Sequence, residues 1–171
     1  MLDFNPRFKP PSTSDIAKFK QEIGLQLPAD YVHFLQRING GFIGAHIKAL
    51  NDSERVYMVG SLFGLDWENS NPEKKFKNIR YAYDDESINQ NFPKQVIKIG
   101  SGVIHNTVMS LLKEDYGHVY CGHREEGEEH DYDEARARLT SNAEELAMVG
   151  YQCVAKNFSE FLERLYEEDE E

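Results

Sequence analysis

The chain has 171 residues, of which 40% are hydrophobic and 12% aromatic, and its formal net charge is −11. This composition excludes an intrinsically disordered protein, and the length is sufficient for one domain with a sizeable core. We predict a single domain over residues 1–171, in which residues 1–12 form an extended lead-in and residues 167–171 an acidic tail that frays.

The negative charge lies almost entirely in the second half of the chain. Residues 1–80 contain 11 Lys and Arg against 9 Asp and Glu, whereas residues 81–171 contain 8 against 21, a net charge of −13. A field of this sign repels nucleic acid and anionic membranes and attracts basic proteins. The charge therefore favours a basic protein partner, and the alternative is that it serves solubility alone.

The N-terminal sequence MLDFNPR has no basic region followed by an apolar run, so it does not indicate a signal peptide. The longest apolar run, residues 57–65, is interrupted by glycine and serine and falls far short of the roughly 20 residues of a membrane span. We therefore expect a cytoplasmic protein with no membrane partner. Cys121 and Cys153 are expected to be reduced, although a single bridge between them remains open.

Two helices are predicted near the N-terminus. The sequence STSDIAKFKQEIG, residues 12–24, begins with three hydroxyl residues that can cap a helix and ends with Gly24, which can adopt the left-handed closing conformation. The second helix is predicted to begin at Pro28, because proline fits the first helical position. Its apolar positions recur at helical spacing, at Tyr31, Phe34, Leu35 and Ile38, and Asn39-Gly40-Gly41 ends it.

Short apolar segments rich in β-branched and aromatic residues follow. RVYMVGSLFGL, QVIKIG, NTVMSLL and GHVYCGH have the texture and spacing of antiparallel strands. Residues 66–95 are polar, and we predict a long loop there with a short helix ahead of NFPKQV. The segment NFSEFLERLYEEDEE predicts a closing helix, capped by Asn157 with Glu160. The predicted fold class is α+β, with N-terminal helices, a central antiparallel sheet and a C-terminal helix.

No motif in the chain indicates a catalytic or metal site. In HVYCGH, strand alternation directs His118 to one face and both Cys121 and His123 to the other, so the three do not converge on zinc, even with His130 nearby. DYDEARARL lacks the glycine and the final glutamate of a calcium loop. We predict no cofactor, no metal and no enzymatic activity, although a catalytic triad assembled from distant residues leaves no motif and stays open.

The basic run at residues 74–80 is the one feature that suits nucleic acid. It contains Lys74, Lys75, Lys77 and Arg80 beside two aromatic residues. Direct phosphate binding depends on Lys and Arg contacts, which the net charge of the chain opposes. We therefore interpret the run as a solvated loop and predict no direct nucleic-acid binding.

The sequence LQLPADYVHFLQRINGG resembles the motif of the SUKH superfamily, the group named for Smi, Us and Knr homologues. The resemblance continues through FPKQVIKIG, YGHVY and VAKNFSEFLERL and so spans about residues 13–166. Two departures are a missing Gly-Asn or Gly-Asp turn after the central strand and a long acidic stretch at residues 125–150. The motif positions, which we interpret as structural, are Leu27, Pro28, Tyr31, Phe34, Leu35, Asn39, Gly40 and Gly41.

The resemblance implies an immunity protein that binds and neutralises a cognate polymorphic or contact-dependent toxin, such as a nuclease or deaminase. The alternative that it implies is a non-immunity adaptor or regulatory protein-binding module of the same fold, of the cell-wall or signalling type. An acidic surface would complement the basic cleft of a nuclease. The candidate partner-binding residues are two tyrosines and the acidic runs near them and further on: Tyr81, Tyr83, Asp84, Asp85, Glu86, Glu125, Glu126, Glu128, Glu129 and Asp131.

Overall fold

The structure is a computed structural model that describes residues 4–6, 8–67, 77–84, 95–123, 146–147 and 150–167. Four helices and seven strands are found in these ranges. The helices are α1 (Thr13–Ile23), α2 (Ala29–Arg37), α3 (Ile79–Asp84) and α4 (Phe158–Arg164). The strands are β1 (Asn5–Pro6), β2 (Gly41–Lys48), β3 (Val56–Leu62), β4 (Val96–Ser101), β5 (His105–Ser110), β6 (Val119–His123) and β7 (Gln152–Ala155).

The seven strands form one antiparallel sheet in the order β1-β2-β3-β4-β5-β6-β7, so each strand pairs with its neighbours in sequence. The longest pairing is β2 with β3, at six positions, followed by β4 with β5 and β5 with β6, at five each, whereas β1 pairs with β2 at two positions only. Helices precede and follow the sheet. The α+β class and the antiparallel sheet predicted from the sequence are therefore confirmed.

The caps that the sequence predicts explain where the helices begin and end. Ser12 caps α1 and exchanges hydrogen bonds with Asp15, which holds the pKa of that carboxyl below its usual value, and Gly24 closes the helix at φ 69°. Asn157 caps α4 by accepting from the amide of Glu160 at 2.8 Å. Pro28 is the N-cap of α2 and not its first helical residue. The helix therefore begins one residue later than predicted, at Ala29.

Three strands were not predicted as strands. They are β1, β2 and β7. β2 was missed because glycine, which weakens a strand pattern, stands at both ends of GFIG. In the structure both Gly41 and Gly44 have positive φ values, and the register shifts between Phe42 and Ala45. Beyond that shift the strand alternates between buried and less buried residues, as a sheet with one packed face requires.

The sheet is packed on both of its faces. The larger core lies between one face and the helices, and it includes Phe19 of α1, Tyr31 and Leu35 of α2 and Phe158 of α4. A second apolar cluster covers the opposite face at β4–β6 and consists of Val96, Val108, Tyr120, Leu146 and Tyr151. Because both faces are covered, every residue of β5 is buried.

Aromatic contacts and one carboxylate join α2 to α4. The Phe158 ring lies 4.8 Å from the Tyr31 ring and 5.0 Å from the Phe34 ring, measured between centroids. Asp30, in the first turn of α2, accepts a hydrogen bond from the amide of Ser159 at 2.9 Å. A carboxylate at this position also complements the dipole at the start of α4. The two helices therefore form one packed unit over the sheet.

Candidate protein-binding site

The apolar motif positions belong to the core, which agrees with a structural role. Leu27, Tyr31, Phe34 and Leu35 are all buried, and Tyr31 and Leu35 have no exposed surface. Burying such side chains stabilises the fold by roughly 1.5–3 kcal/mol each. These residues support a surface and are not part of one.

Asn39 and the two following glycines do more than end a helix. The side chain of Asn39 is fully buried, donates to the carbonyl oxygens of Lys9 (2.6 Å) and Leu65 (2.9 Å), and accepts from the Leu65 amide (2.7 Å). A Cβ at Gly40 would lie 2.6 Å from the amide nitrogen of Gly64. The motif thus ties the lead-in, α2 and the segment after β3 together. Sequence reasoning missed this link, because its partners lie 26 and 30 residues away.

Only part of the predicted partner-binding set lies within the described residues. Tyr81 and Tyr83 are on α3 and are half-buried, and Tyr83 packs against the larger core. Asp84 is the last residue of α3. The remaining residues lie outside the described ranges: Asp85, Glu86, Glu125, Glu126, Glu128, Glu129 and Asp131. Their role in binding stays a prediction.

The basic residues near α3 are engaged within the protein. The guanidinium of Arg80 bonds to the carboxylate of Glu22 at 2.9–3.2 Å and lies 4.2 Å from the centre of the Trp67 ring. The ammonium of Lys77 donates to the hydroxyl of Ser61 at 2.6 Å. These contacts hold α3 against α1 and β3, and Lys74 and Lys75 lie outside the described residues.

Cys121 and His123 of β6 and the neighbouring His118 do not converge. The thiol of Cys121 lies 3.6 Å from the Thr107 hydroxyl in the larger core, while the rings of His123 and His105 are 4.6 Å apart. The His118 ring lies beside Tyr120, on the other face. Among the described residues, no three His, Cys, Asp or Glu are grouped so as to hold a metal ion.

Both thiols are free and protonated at neutral pH. Burial raises the pKa of Cys121 to about 12 and that of Cys153 to about 11. A thiol is a poor nucleophile and a poor metal ligand in its protonated form. Cys153 pairs with Tyr120 in the sheet and Cys121 with Gln152, so the two thiols point to opposite faces.

A buried carboxylate on the second face forms a hydrogen-bond network. Asp115 accepts from the hydroxyls of Ser110 (2.5 Å) and Tyr120 (2.7 Å), and burial together with Asp115 raises the pKa of the Tyr120 phenol. Both carboxylate oxygens are therefore occupied, and the network joins the β5–β6 turn to the strands. The network therefore stabilises the fold in this region.

Most of the negative charge of the chain lies in two stretches outside the described residues. Residues 124–145 hold 3 Arg against 9 Asp and Glu, a net charge of −6, and residues 168–171 add −4. Together these stretches account for −10 of the net charge of −11.

An open groove lies between the lead-in and the C-terminal segment, residues 162–167. It has a volume of about 620 Å³. Among the described residues, seven line it, of which five are apolar or aromatic and two are glutamates: Phe4, Ile38, Leu162, Leu165, Tyr166, Glu163 and Glu167. A concave apolar surface with few polar groups is the usual form of a binding site.

Comparison with known proteins identifies the family of the chain. A sequence profile described as SMI1 / KNR4 family (SUKH-1) matches residues 10–164. No curated protein matches the chain as a relative. Within the part of the chain that the structure describes, no helix has the length and apolar character that crossing a membrane requires.

Proposed function

Because the chain belongs to the SMI1 / KNR4 family (SUKH-1), we propose that it is a non-catalytic immunity protein that binds a toxin domain and neutralises it through acidic segments. The observation that carries this proposal is the concentration of acidic residues at 124–145 and 168–171, which together carry −10 of the net charge of −11.

Acidic segments of this kind suit recognition of a basic partner. Lys and Arg line the active-site clefts of nucleases because these enzymes bind phosphates. Acidic segments accelerate the approach of such a domain and oppose its binding to nucleic acid. Electrostatic capture of this kind is strong at low salt and weakens as salt screens the charges.

The chemistry-bearing side chains within the described residues support a binding role. Asp115 and Arg80 are engaged in structural hydrogen bonds, and the thiols of Cys121 and Cys153 are protonated at neutral pH. None of these groups is poised as a nucleophile or general base. A protein that inhibits by occupying a surface needs no such group.

The proposal is tested by capture followed by a growth assay. The tagged full chain is incubated with lysate of its source organism at about 50 mM and about 500 mM salt, and bound proteins are identified by mass spectrometry. We expect a basic toxin domain that is released at high salt. When that domain is expressed in a bacterial host, growth should stop, and co-expression of the chain should restore it.

A charge variant tests the acidic segment directly. Replacing Glu128 and Glu129 with glutamine should slow association with the captured domain several-fold at low salt. The matched control, Glu54→Gln with Glu114→Gln, removes the same number of charges from exposed carboxylates outside the two acidic segments. It should change the association rate little. If the captured partner is not toxic, or if the chain does not restore growth, the protein is an adaptor and the immunity role is wrong.

A further inference from the structure

The groove beside the C-terminal segment is built on the rigid framework. Tyr166 exchanges two backbone hydrogen bonds with His46 of β2, at 2.8 and 3.0 Å. The Phe4 ring meets the Phe34 ring edge-on at 5.8 Å, and Ile38 follows directly on α2. The walls of the groove are therefore fixed by the sheet and by α2. A ligand would bind there with little cost in ordering the protein.

The lining of the groove suits an apolar side-chain stripe. Phe4 and Ile38 come from the N-terminal part of the chain, and Leu162, Leu165 and Tyr166 come from α4 and the residues that follow it. Leu162 and Tyr166 are only half-buried, so apolar surface is accessible from the groove. A partner helix whose apolar residues recur at i, i+3, i+4 and i+7 presents a stripe of this kind.

The negative charge of the groove favours a partner with basic residues beside its apolar stripe. Glu163 and Glu167 are exposed lining residues, and no Lys or Arg is among the described lining residues. The neighbouring Arg164 is bonded to the Lys48 carbonyl at 3.1 Å and lies 3.8 Å from Glu160. The Lys48 ammonium lies 5.9 Å from the Tyr166 ring centre. The sequence continues from Glu167 with four further acids.

We propose that this groove binds an amphipathic helix of a protein partner, in which Lys and Arg flank an apolar face. The apolar face contacts Phe4, Leu162 and Tyr166, while the basic residues pair with Glu163 and Glu167. The proposal goes beyond the immunity role, because it requires neither a toxin nor the acidic segment at residues 124–145.

Synthetic peptides provide the test. The probe is a fluorescein-labelled peptide of about 14 residues with leucine at i, i+3, i+4 and i+7 and lysine between, and its binding to the full chain is followed by fluorescence anisotropy. One control peptide has the same composition in scrambled order, and another has glutamate in place of lysine. We expect the amphipathic lysine peptide to bind at least several-fold more tightly than either control.

Charge reversal in the groove locates the binding site. Glu163→Lys combined with Glu167→Lys should weaken binding of the lysine peptide about tenfold and strengthen that of the glutamate peptide, because the sign of the rim changes. Both residues are exposed, so the fold should persist. The matched control, Glu54→Lys with Glu114→Lys, makes the same change of net charge elsewhere and should leave the difference between the peptides intact.

Several results would overturn the proposal. Equal affinity for all three peptides, or equal effects of the two double variants, would mean that only the overall charge attracts the probe. Tighter binding after removal of residues 1–3 or 168–171 would mean that the chain's own terminus fills the groove. A dimer in sedimentation that the Glu163→Lys, Glu167→Lys variant abolishes would make a second copy the occupant. None of these measurements uses a toxin, so a result that overturns the groove proposal leaves the proposed immunity role untouched.

Discussion

The side-chain amide of Asn39 pairs with both backbone groups of Leu65, accepting from its N–H at 2.7 Å and donating to its C=O at 2.9 Å. The same amide nitrogen donates to the Lys9 carbonyl at 2.6 Å. Asn39 itself has a positive φ of 59°, which asparagine tolerates better than most residues. One buried residue therefore satisfies three backbone groups from two separate segments.

Asn39→Ala should destabilise the protein by roughly 3–5 kcal/mol, because two buried backbone groups and one partly buried carbonyl lose their partner and alanine resists the positive φ. Urea denaturation gives the free energy of unfolding. Asn157→Ala is the control, since it removes a single exposed capping bond and should cost about 1 kcal/mol. Equal losses at the two positions would contradict the bridging role of Asn39.

Phe34→Ala should cost roughly 3–5 kcal/mol, because it leaves a cavity where the aromatic ring now contacts three others. Phe42→Ala makes the same chemical change on β2, where the side chain is 58% exposed, and should alter stability by about 0.5 kcal/mol or less. Thermal melting of both variants distinguishes the two positions. If Phe34→Ala melted like the wild type, its place in the core would be wrong.

Tyr31→Phe should leave the protein as stable or stabilise it by about 1 kcal/mol. The Tyr31 hydroxyl is fully buried and has no hydrogen-bond partner among the described residues, so the substitution removes an unsatisfied group. Tyr120→Phe is the opposite case, since its hydroxyl donates to buried Asp115, and should cost about 1–3 kcal/mol. Denaturation curves that lose equal stability in both variants would refute this distinction.

Alkaline pH should destabilise the folded chain partly through Cys121. Burial raises the pKa of this thiol from 9.0 to about 12, so the folded state retains a proton that the unfolded state releases. The stabilising contribution is complete below pH 9 and declines by about 1.4 kcal/mol per pH unit as pH rises toward 12. The measurement is the free energy of unfolding between pH 8 and the onset of alkaline unfolding.

The Cys121→Ala variant controls for this effect. It loses a constant amount of packing energy at every pH, but its stability should fall less steeply above pH 9 than that of the wild type. Cys153 and the buried tyrosines Tyr31 and Tyr120, whose pKa values are also raised, keep part of the slope in both proteins. Parallel curves for wild type and variant would show that Cys121 ionises equally in both states.

The sequence by itself determined the features that depend on neighbouring residues. Ser12 and Asp15 cap α1 within one turn, and Asn157 with Glu160 does the same for α4. The helical spacing of Tyr31, Phe34 and Leu35 sets the buried face of α2. Apolar, β-branched segments likewise predicted β3–β6 and their antiparallel character. Caps, periodicity and propensity act over a few residues, so they can be read without the fold.

Only the tertiary structure decided which distant groups meet. The pairing of Asn39 with Leu65, the packing of Arg80 between Glu22 and Trp67, and the strands β2 and β7 all depend on segments far apart in sequence. The groove is the same case, because Phe4 and Tyr166 lie at opposite ends of the chain and become neighbours when β2 positions both. Such contacts form when burial of apolar surface outweighs the entropy of closing long loops, a balance that only the whole fold sets.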